Sequence, residues 1–178
     1  IDSGKITAAS VFDDVPYKNY KNYNYFKGLL TIRYAIESSQ NIPMLKAIQV
    51  VGVDNSLKFL KSLGFSHLDD EKDNNIGIAL GGLTNGATPL EMAAAYGAIA
   101  NDGVYIEPTF YTKVVDGNGN TVFEPKQESR TVMSASAAYV VKEVLTQPVK
   151  SGTSTTLAMS GMSVAAKTGT TNNDYDRW

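Results

Sequence analysis

The residues with the clearest chemical potential lie near the C-terminus, in the segment from Val164 to Thr171. A run of small apolar residues there leads into Lys167, Thr168, Gly169 and Thr170. Because side chains alternate across a strand, an extended segment would place Thr168 and Thr170 on one face, and the glycine would let a ligand backbone approach closely. The pattern predicts an edge strand that binds an anionic ligand, with Lys167 supplying the positive charge.

A second polar segment, Ser39-Gln40-Asn41, is predicted to lie between two helices. Thr31 is a candidate N-cap for a helix over residues 32–37, whose apolar residues recur at helical spacing. Pro43 disfavours helical geometry in the residue before it and can open a second helix, which Gly52 ends. Short polar loops at helix ends commonly present functional side chains, so this loop is a candidate binding element.

The composition restricts the chemistry that these residues can perform. The chain has 178 residues, a net charge of −2, no cysteine and a single histidine, His67. One domain with a complete core fits this length, and the charge argues against nucleic-acid binding. Thiolate or histidine-rich metal sites, cysteine nucleophiles and histidine-dependent triads are therefore not expected. Acid–base chemistry must use lysine, serine, tyrosine or carboxylate groups.

Two polar features outside these segments are predicted to have no role in catalysis or metal binding. His67 is expected to have a surface or locally hydrogen-bonded role. Asp69, Asp70, Glu71 and Asp73 lack the ligand spacing and central glycine of a calcium loop, so they are interpreted as a solvated face.

The remaining elements indicate the fold class. Thr88 and Glu91, three residues apart around Pro89, form a capping box that predicts a helix over 90–101. Residues 1–30, with tyrosines at irregular spacing, are predicted to lie over the domain without regular structure. The rest is predicted to contain hairpin strands at 109–116 and 121–124, a helix over 135–146 that stops before Pro148, and the strand at 164–171.

This order of elements predicts an α+β domain with antiparallel strands. Residues 1–108 are expected to form a mostly helical subdomain, and residues 109–178 a part associated with the sheet.

Together, these segments resemble the transpeptidase domain of penicillin-binding proteins. Three sequence motifs, Ser-x-x-Lys, Ser-Asp-Asn and Lys-Thr-Gly, mark these enzymes and the class A β-lactamases. The resemblance extends over nearly the whole chain and is greatest to the bifunctional class, which also has a glycosyltransferase domain. It is carried by Ser39-Gln40-Asn41-Ile42-Pro43, Leu80-Gly81-Gly82, the segment from Thr88 to Tyr96, Ala100-Asn101-Asp102-Gly103 and Lys167-Thr168-Gly169-Thr170.

The Ser-x-x-Lys motif, which supplies the nucleophile, does not occur in this sequence. None of the thirteen lysines has a serine three residues before it. We therefore interpret residues 1–178 as an internal portion of a single transpeptidase domain, incomplete at both ends. The resemblance implies the fold shared by penicillin-binding proteins and serine β-lactamases, an antiparallel sheet with a helical subdomain.

The resemblance also implies the reaction. A serine attacks the D-Ala-D-Ala carbonyl of a peptidoglycan stem peptide, expels D-alanine, and passes the acyl group to an amine on a neighbouring strand, with no cofactor. By this resemblance, Ser39 relays protons to or from the leaving nitrogen and Asn41 hydrogen-bonds the substrate amide. Lys167 supplies positive potential to the hydroxyl network.

The Lys-Thr-Gly segment is assigned the substrate contacts by the same resemblance. Thr168 and Thr170 hold the substrate carboxylate, and Gly169 lets the substrate backbone approach. The Thr170 N–H is one of two donors to the oxyanion, and the other belongs to the absent serine. These residues therefore form the substrate-facing half of a site.

The resemblance implies further that the intact protein is acylated by β-lactams and lies on the outer face of the bacterial cell membrane. An anchor outside this chain is expected, because no run approaches the ~20 apolar residues of a membrane span. Two alternatives remain open at this stage. A serine β-lactamase shares the fold, and a non-catalytic sensor or scaffold can be built from the same domain.

The absence of Ser-x-x-Lys generates a direct prediction. The isolated 178-residue chain should take up no covalent fluorescent penicillin, because it has no activated serine to form the ester. Gel fluorescence and intact-mass measurement check this, and a mass increase equal to one penicillin on a verified sample would contradict it.

Overall fold

The computed structural model describes residues 1–22 and 24–170, so Tyr23 and Thr171, which belong to predicted segments, lie outside the described residues. The helices are α1 (Ile32–Glu37), α2 (Asn41–Val51), α3 (Val53–Ser62), α4 (Pro89–Ala100) and α5 (Ala135–Lys150), with short 3-10 helices at Ile76–Leu80 and Thr155–Leu157. The strands are β1 (Val11–Asp14), β2 (Gly28–Thr31), β3 (Val104–Ile106), β4 (Val114–Val115), β5 (Thr121–Phe123) and β6 (Ser129–Thr131).

The strands form antiparallel pairs, β1 with β2, β3 with β6 and β4 with β5. The predicted α+β class with antiparallel strands is therefore confirmed. Within the described residues, no helix has the length and apolar character to cross a membrane.

The first two helices have the predicted boundaries, with one difference. The Thr31 side chain accepts a hydrogen bond from the Tyr34 N–H, α1 ends at Glu37, and Gly52 follows α2. Pro43 lies in the first turn of α2, as predicted, but the helix begins two residues before it, at Asn41, which was predicted to lie in the loop. The helix can begin before the proline because Asn22 Oδ1 accepts hydrogen bonds from the N–H groups of its first two residues, Asn41 and Ile42.

The capping box at α4 is confirmed. Thr88 Oγ1 accepts from the Glu91 N–H, and the Glu91 carboxylate accepts from the Thr88 N–H. Small residues let α4 pack closely on β3 and α5. Close approach also requires Gly64, since a Cβ there would lie 2.2 Å from the Tyr105 hydroxyl. The core cluster around α4 contains Leu63, Phe65, Ala95, Ala98 and Tyr105, and a second cluster contains Ile48, Leu57 and Ile78.

The predicted end of α5 is wrong, because the helix continues through Pro148 to Lys150. A proline inside a helix costs about 3 kcal/mol. Burying a large apolar side chain returns about 1.5–3 kcal/mol, and in the added turn Pro148 and Val149 are both buried. Packing of the last turn therefore outweighs the local cost of the proline.

The N-terminal segment contains regular structure that its irregular tyrosine spacing did not predict. β1 and β2 pair from Val11 opposite Thr31 to Asp14 opposite Gly28. The Tyr17 hydroxyl donates to Gln49 Oε1 at 2.8 Å, which ties the segment to α2. Four-residue strands leave too little alternation for a sequence pattern to identify them.

The strands in the second half are shorter than predicted. β4 and β5 form the expected hairpin, but the segment from 109 to 113 does not join it. Residues 163–169 pair with no strand in the described part of the chain, although a strand was predicted there. The Ala166 N–H instead donates to the Leu145 carbonyl at 3.0 Å, which attaches this segment to α5.

The acidic cluster was predicted to form a solvated face. This prediction is wrong for Asp73, which is fully buried. Its carboxylate accepts from the Asp69 N–H at 2.9 Å and from the Thr84 N–H and hydroxyl at 2.7 and 2.6 Å. Burial acts to raise the pKa of Asp73, but these hydrogen bonds outweigh it and the pKa is lowered. Asp73 therefore holds the glycine-rich turn at Thr84 against the preceding loop.

Glu91 generates a prediction about stability and pH. Hydrogen bonds from Thr88 and Ser66 lower the pKa of Glu91 from 4.5 to about 2, against the opposing effect of burial. A carboxyl whose pKa is lower in the folded chain than in the unfolded chain stabilises the fold at pH values above its unfolded pKa. For Glu91 this stabilisation is lost as the pH falls from about 4.5 towards 2. Allowing for solvent screening, we expect Glu91→Gln to remove about 1–2 kcal/mol near neutral pH.

Chemical denaturation of the chain between pH 7 and pH 2 measures this contribution. The free energies of unfolding of the unmutated chain and Glu91→Gln should converge as the pH falls. The exposed Glu124 supplies the matched control, Glu124→Gln, whose stability should follow that of the unmutated chain. A constant difference between Glu91→Gln and the unmutated chain across this range would contradict the account.

Candidate active site

The structure brings Lys167 and Ser39 together. The Lys167 ammonium donates to Ser39 Oγ at 2.9 Å, although the two residues are 128 positions apart in the chain. It also donates to the Thr168 carbonyl at 2.8 Å. Burial lowers the pKa of Lys167. The contact therefore joins the two polar segments into one site with a cation that transfers a proton more readily than an exposed lysine does.

The loop between α1 and α2 holds Ser39 in an unusual conformation. Ser39 has φ of 55°, in the left-handed region that non-glycine residues rarely occupy. The loop is closed by hydrogen bonds from the Ser39 N–H to the Ile36 carbonyl and from the Gln40 N–H to the Ala35 carbonyl. Gln40 is buried, and its Nε2 donates to the Ser38 carbonyl at 3.3 Å. Strain of about 1–2 kcal/mol at Ser39 is the cost of this conformation.

Asn41 lies next to Ser39 as the first residue of α2. Its Nδ2 donates to the Lys21 carbonyl at 2.8 Å. This bond fixes the orientation of the amide and leaves Oδ1 available to accept from a substrate N–H, since no donor to Oδ1 is found in the described part of the chain. The geometry agrees with the predicted contact to a substrate amide, a role that stays a prediction.

The substrate-binding positions of the Lys-Thr-Gly segment differ in their surroundings. Thr168 is half-buried, and its Oγ1 lies 2.9 Å from Thr153 Oγ1. Gly169 and Thr170 are exposed to solvent. The predicted contacts to a substrate carboxylate stay predictions, as does the oxyanion contact of the Thr170 N–H.

Sequence reasoning missed the loop that follows α5, where Ser151, Gly152 and Thr153 connect both halves of the site. The Ser151 hydroxyl donates to Glu37 Oε1 at 2.7 Å, so the loop binds the end of α1. A Cβ at Gly152 would lie 2.2 Å from the Glu37 carbonyl oxygen. The sequence alone shows this segment only as a loop rich in serine, threonine and glycine. The one feature that could have indicated a close contact here is the glycine between two hydroxyl residues.

Other polar features lie apart from this contact. His67 Nδ1 is 3.2 Å from Glu91 Oε1 and 3.1 Å from Ser66 Oγ, so its predicted locally hydrogen-bonded role is confirmed. An open groove of about 720 Å³ lies between α4, α5 and the segment before Lys167. In the part of the chain that the structure describes, its lining includes Ala165 and Ser163 but neither Ser39 nor Lys167.

The arrangement can move a proton without histidine. Because Ser39 Oγ accepts from Lys167, the Ser39 hydroxyl hydrogen is directed away from the ammonium group. A lysine of lowered pKa can restore a proton that Ser39 gives to a leaving group. The site therefore combines a lysine–serine pair that can pass a proton with a cationic segment that can attract an anion, an arrangement compatible with acyl transfer to a separate nucleophile.

Known proteins similar to this chain include penicillin-binding proteins. The family model of the penicillin binding protein transpeptidase domain matches residues 1–177. Penicillin-binding protein 1A of Clostridium botulinum strain Langeland is 33% identical over 193 residues, which cover 100% of this chain and 23% of that protein. Penicillin-binding protein 1A/1B of Bacillus subtilis is 38% identical over 149 residues, which cover 84% of this chain and 16% of that protein.

Solved structures share the fold. The D,D-transpeptidase domain of a peptidoglycan glycosyltransferase from Eggerthella lenta matches with a TM-score of 0.81 and 26% identity, covering 99% of this chain and 51% of that chain. Penicillin binding protein 3 from Mycobacterium tuberculosis matches with a TM-score of 0.82 and 23% identity, covering 96% of this chain and 45% of that chain. The likeness to the second structure shows the fold alone.

The matches cover the chain almost completely but cover the relatives only in part. The chain spans 23% of the length of the Clostridium botulinum relative. The family match extends over both polar segments of the site, Ser39 to Asn41 and Lys167 to Thr170. The chain therefore belongs to the family of penicillin-binding protein transpeptidase domains.

Proposed function

We propose that this chain forms the substrate-holding part of a D,D-transpeptidase that cross-links peptidoglycan stem peptides. The serine nucleophile is contributed by a Ser-x-x-Lys motif outside the 178 residues. The observation that carries this proposal is the 2.9 Å contact between Lys167 Nζ and Ser39 Oγ, which unites the second and third motifs of the family.

Ser39 and Lys167 handle the proton of the leaving group. When the serine oxygen attacks the D-Ala-D-Ala carbonyl, its hydroxyl proton passes to the neutral lysine of the Ser-x-x-Lys motif. The C–N bond to the last D-alanine then breaks, and the leaving nitrogen requires a proton. Ser39 donates its hydroxyl hydrogen to that nitrogen and regains one from Lys167. The acyl group then remains on the serine until an amine attacks it. The reverse transfers would remove the proton from that incoming amine.

The Lys-Thr-Gly segment binds the substrate. Thr168 and Thr170 donate to the terminal carboxylate, and Lys167 contributes the positive potential that favours this anion near the site. The Thr153 hydroxyl can donate to Thr168 Oγ1, which leaves the Thr168 hydrogen directed to the carboxylate. The Thr170 N–H stabilises the oxyanion, a donor of a kind that contributes about 3 kcal/mol to transition-state stabilisation.

A β-lactam fits the same chemistry. It has a carboxylate and a reactive amide in the arrangement of the D-Ala-D-Ala end, so the serine becomes acylated and stays esterified. Two solved structures of the shared fold are complexes of penicillin binding protein 3 from Mycobacterium tuberculosis with aztreonam and ampicillin. They support the proposal at the level of the fold, with identities of 22% and 24%.

The names of the relatives support two further parts of the proposal. Several relatives are named penicillin-binding protein 1A, and one solved structure is a domain of a peptidoglycan glycosyltransferase. We propose that the whole protein is bifunctional and works on the outer face of the cell membrane, anchored by a segment outside this chain. Rapid β-lactam hydrolysis by the whole protein would instead favour a β-lactamase.

The Ser39 hydroxyl provides the test. In the full-length protein that carries this chain, Ser39→Ala should lower the rate constant of acylation by fluorescent penicillin by about 100-fold or more, because the proton relay is lost. Stopped-flow or quenched labelling measures this rate constant.

Ser38→Ala is the matched control for this measurement. The Ser38 hydroxyl donates to the Tyr34 carbonyl at 2.8 Å at the end of α1, and Ser38 is next to Ser39 in the chain. Ser38→Ala should label at nearly the unmutated rate. Equal rates for Ser39→Ala and the unmutated protein would contradict the proposed relay.

A further inference from the structure

The first turn of α2 is capped by a residue far away in sequence. Gln40, the residue that precedes the helix, makes no side-chain capping bond. Asn22 takes that place, because its Oδ1 accepts from the Asn41 N–H at 2.9 Å and from the Ile42 N–H at 3.3 Å. These donors are 19 and 20 positions from Asn22 in the chain. The cap satisfies N–H groups that a helix leaves without an intrahelical acceptor.

A buried carboxylate fixes the orientation of this cap. Asp14, at the end of β1, is fully buried, and its Oδ1 accepts from Asn22 Nδ2 at 2.8 Å. Its Oδ2 accepts from the Lys27 N–H at 3.0 Å. Both Asp14 carboxylate oxygens accept from N–H groups, so Asp14 favours the amide rotamer in which Asn22 Nδ2 faces it and Oδ1 faces the helix.

The same segment holds the side chain of Asn41. The carbonyl of Lys21, the residue before Asn22, accepts from Asn41 Nδ2 at 2.8 Å. Two successive residues therefore fix Asn41 at both its backbone and its amide group. Loss of the Asn22 side chain removes the backbone support directly, and the amide support comes from the adjoining peptide unit.

We propose that Asn22, oriented by Asp14, is a positioning residue for Asn41 in the acylation reaction. The inference rests on the proposed function, because it assigns Asn41 to the substrate contact. Asn22 touches no reacting atom and acts through the start of α2. A displacement of about 1 Å at a substrate-orienting group can reduce a rate by about 100-fold, so the cap contributes to catalysis as well as to stability.

The test measures acylation by fluorescent penicillin in the full-length protein. Asn22→Ala should reduce the acylation rate constant by about 10- to 100-fold, with a smaller effect on the dissociation constant of the non-covalent complex. The decisive comparison is a double-mutant cycle with Asn41→Ala. If Asn22 acts through Asn41, Asn22→Ala should have little further effect on the rate once Asn41 is removed.

Asn74→Ala is the matched control. It removes another Asn–Asp side-chain bond, from Asn74 Nδ2 to Asp54 Oδ1 at 3.0 Å, on the exposed surface. The acylation rate should stay within about twofold of the unmutated value, as expected for a surface substitution. Additive effects of Asn22→Ala and Asn41→Ala on the rate would overturn the inference, because a purely structural cap acts independently of Asn41.

An exchange of the two side chains gives a second test. Asn22→Asp alone places two carboxylates in contact and should impair acylation at neutral pH. The double variant Asp14→Asn/Asn22→Asp restores every partner, since the amide at position 14 donates to the carboxylate at position 22 and accepts from the Lys27 N–H. It should recover most of the acylation rate lost in Asn22→Asp. No recovery in a folded double variant would contradict the assigned orientation.

Amide hydrogen exchange separates failure of this inference from failure of the proposed function. If the unmutated protein takes up no penicillin, the proposed function is wrong. The cap is still tested, because Asn22→Ala should speed exchange at the Asn41 and Ile42 amides, and unchanged exchange overturns the inference. Accelerated exchange supports the cap at Asn41 and Ile42, and the rate comparison with Asn41→Ala decides its role in acylation.

Discussion

The hydrogen bond from Lys167 to Ser39 is the interaction on which the rest of the site depends. It brings a half-buried cation to a hydroxyl that the chain holds in a left-handed loop conformation. Neither residue alone is specific, because lysines and serines are common and mostly serve as surface groups. Their contact across 128 positions is the basis of the proposed proton relay, and the flanking Asn41 and Thr168 are the proposed substrate-binding groups on either side.

The fold supports this contact from two directions. On the side of Lys167, the loop after α5 packs on Glu37 through Ser151 and Gly152 and reaches Thr168 through Thr153. On the side of Asn41, the N-terminal segment caps α2. Apart from Glu37, both supports use short side chains and backbone groups, which lose little conformational entropy when they are ordered. The site is thereby held before substrate arrives, which is the condition for effective proton transfer and anion binding.

The sequence was most informative where local physics decides the structure. The caps at Thr31 and Thr88 were predictable because each acceptor and donor lies within three residues. The end of α5 was not, because tertiary packing of its last turn outweighs the cost of Pro148. The pairing of Ser39 with Lys167 followed only from the family resemblance, since no local rule relates residues so far apart. The Asp14–Asn22 support was missed for the same reason.

The central claim is that this chain holds substrate for a serine that lies outside it. The most direct measurement is peptide mapping by mass spectrometry of the full-length protein after reaction with a β-lactam. The account predicts a single acyl adduct on the serine of a Ser-x-x-Lys motif outside residues 1–178, with the peptides of this chain unmodified. An adduct on Ser39, or on any other residue of this chain, would contradict it.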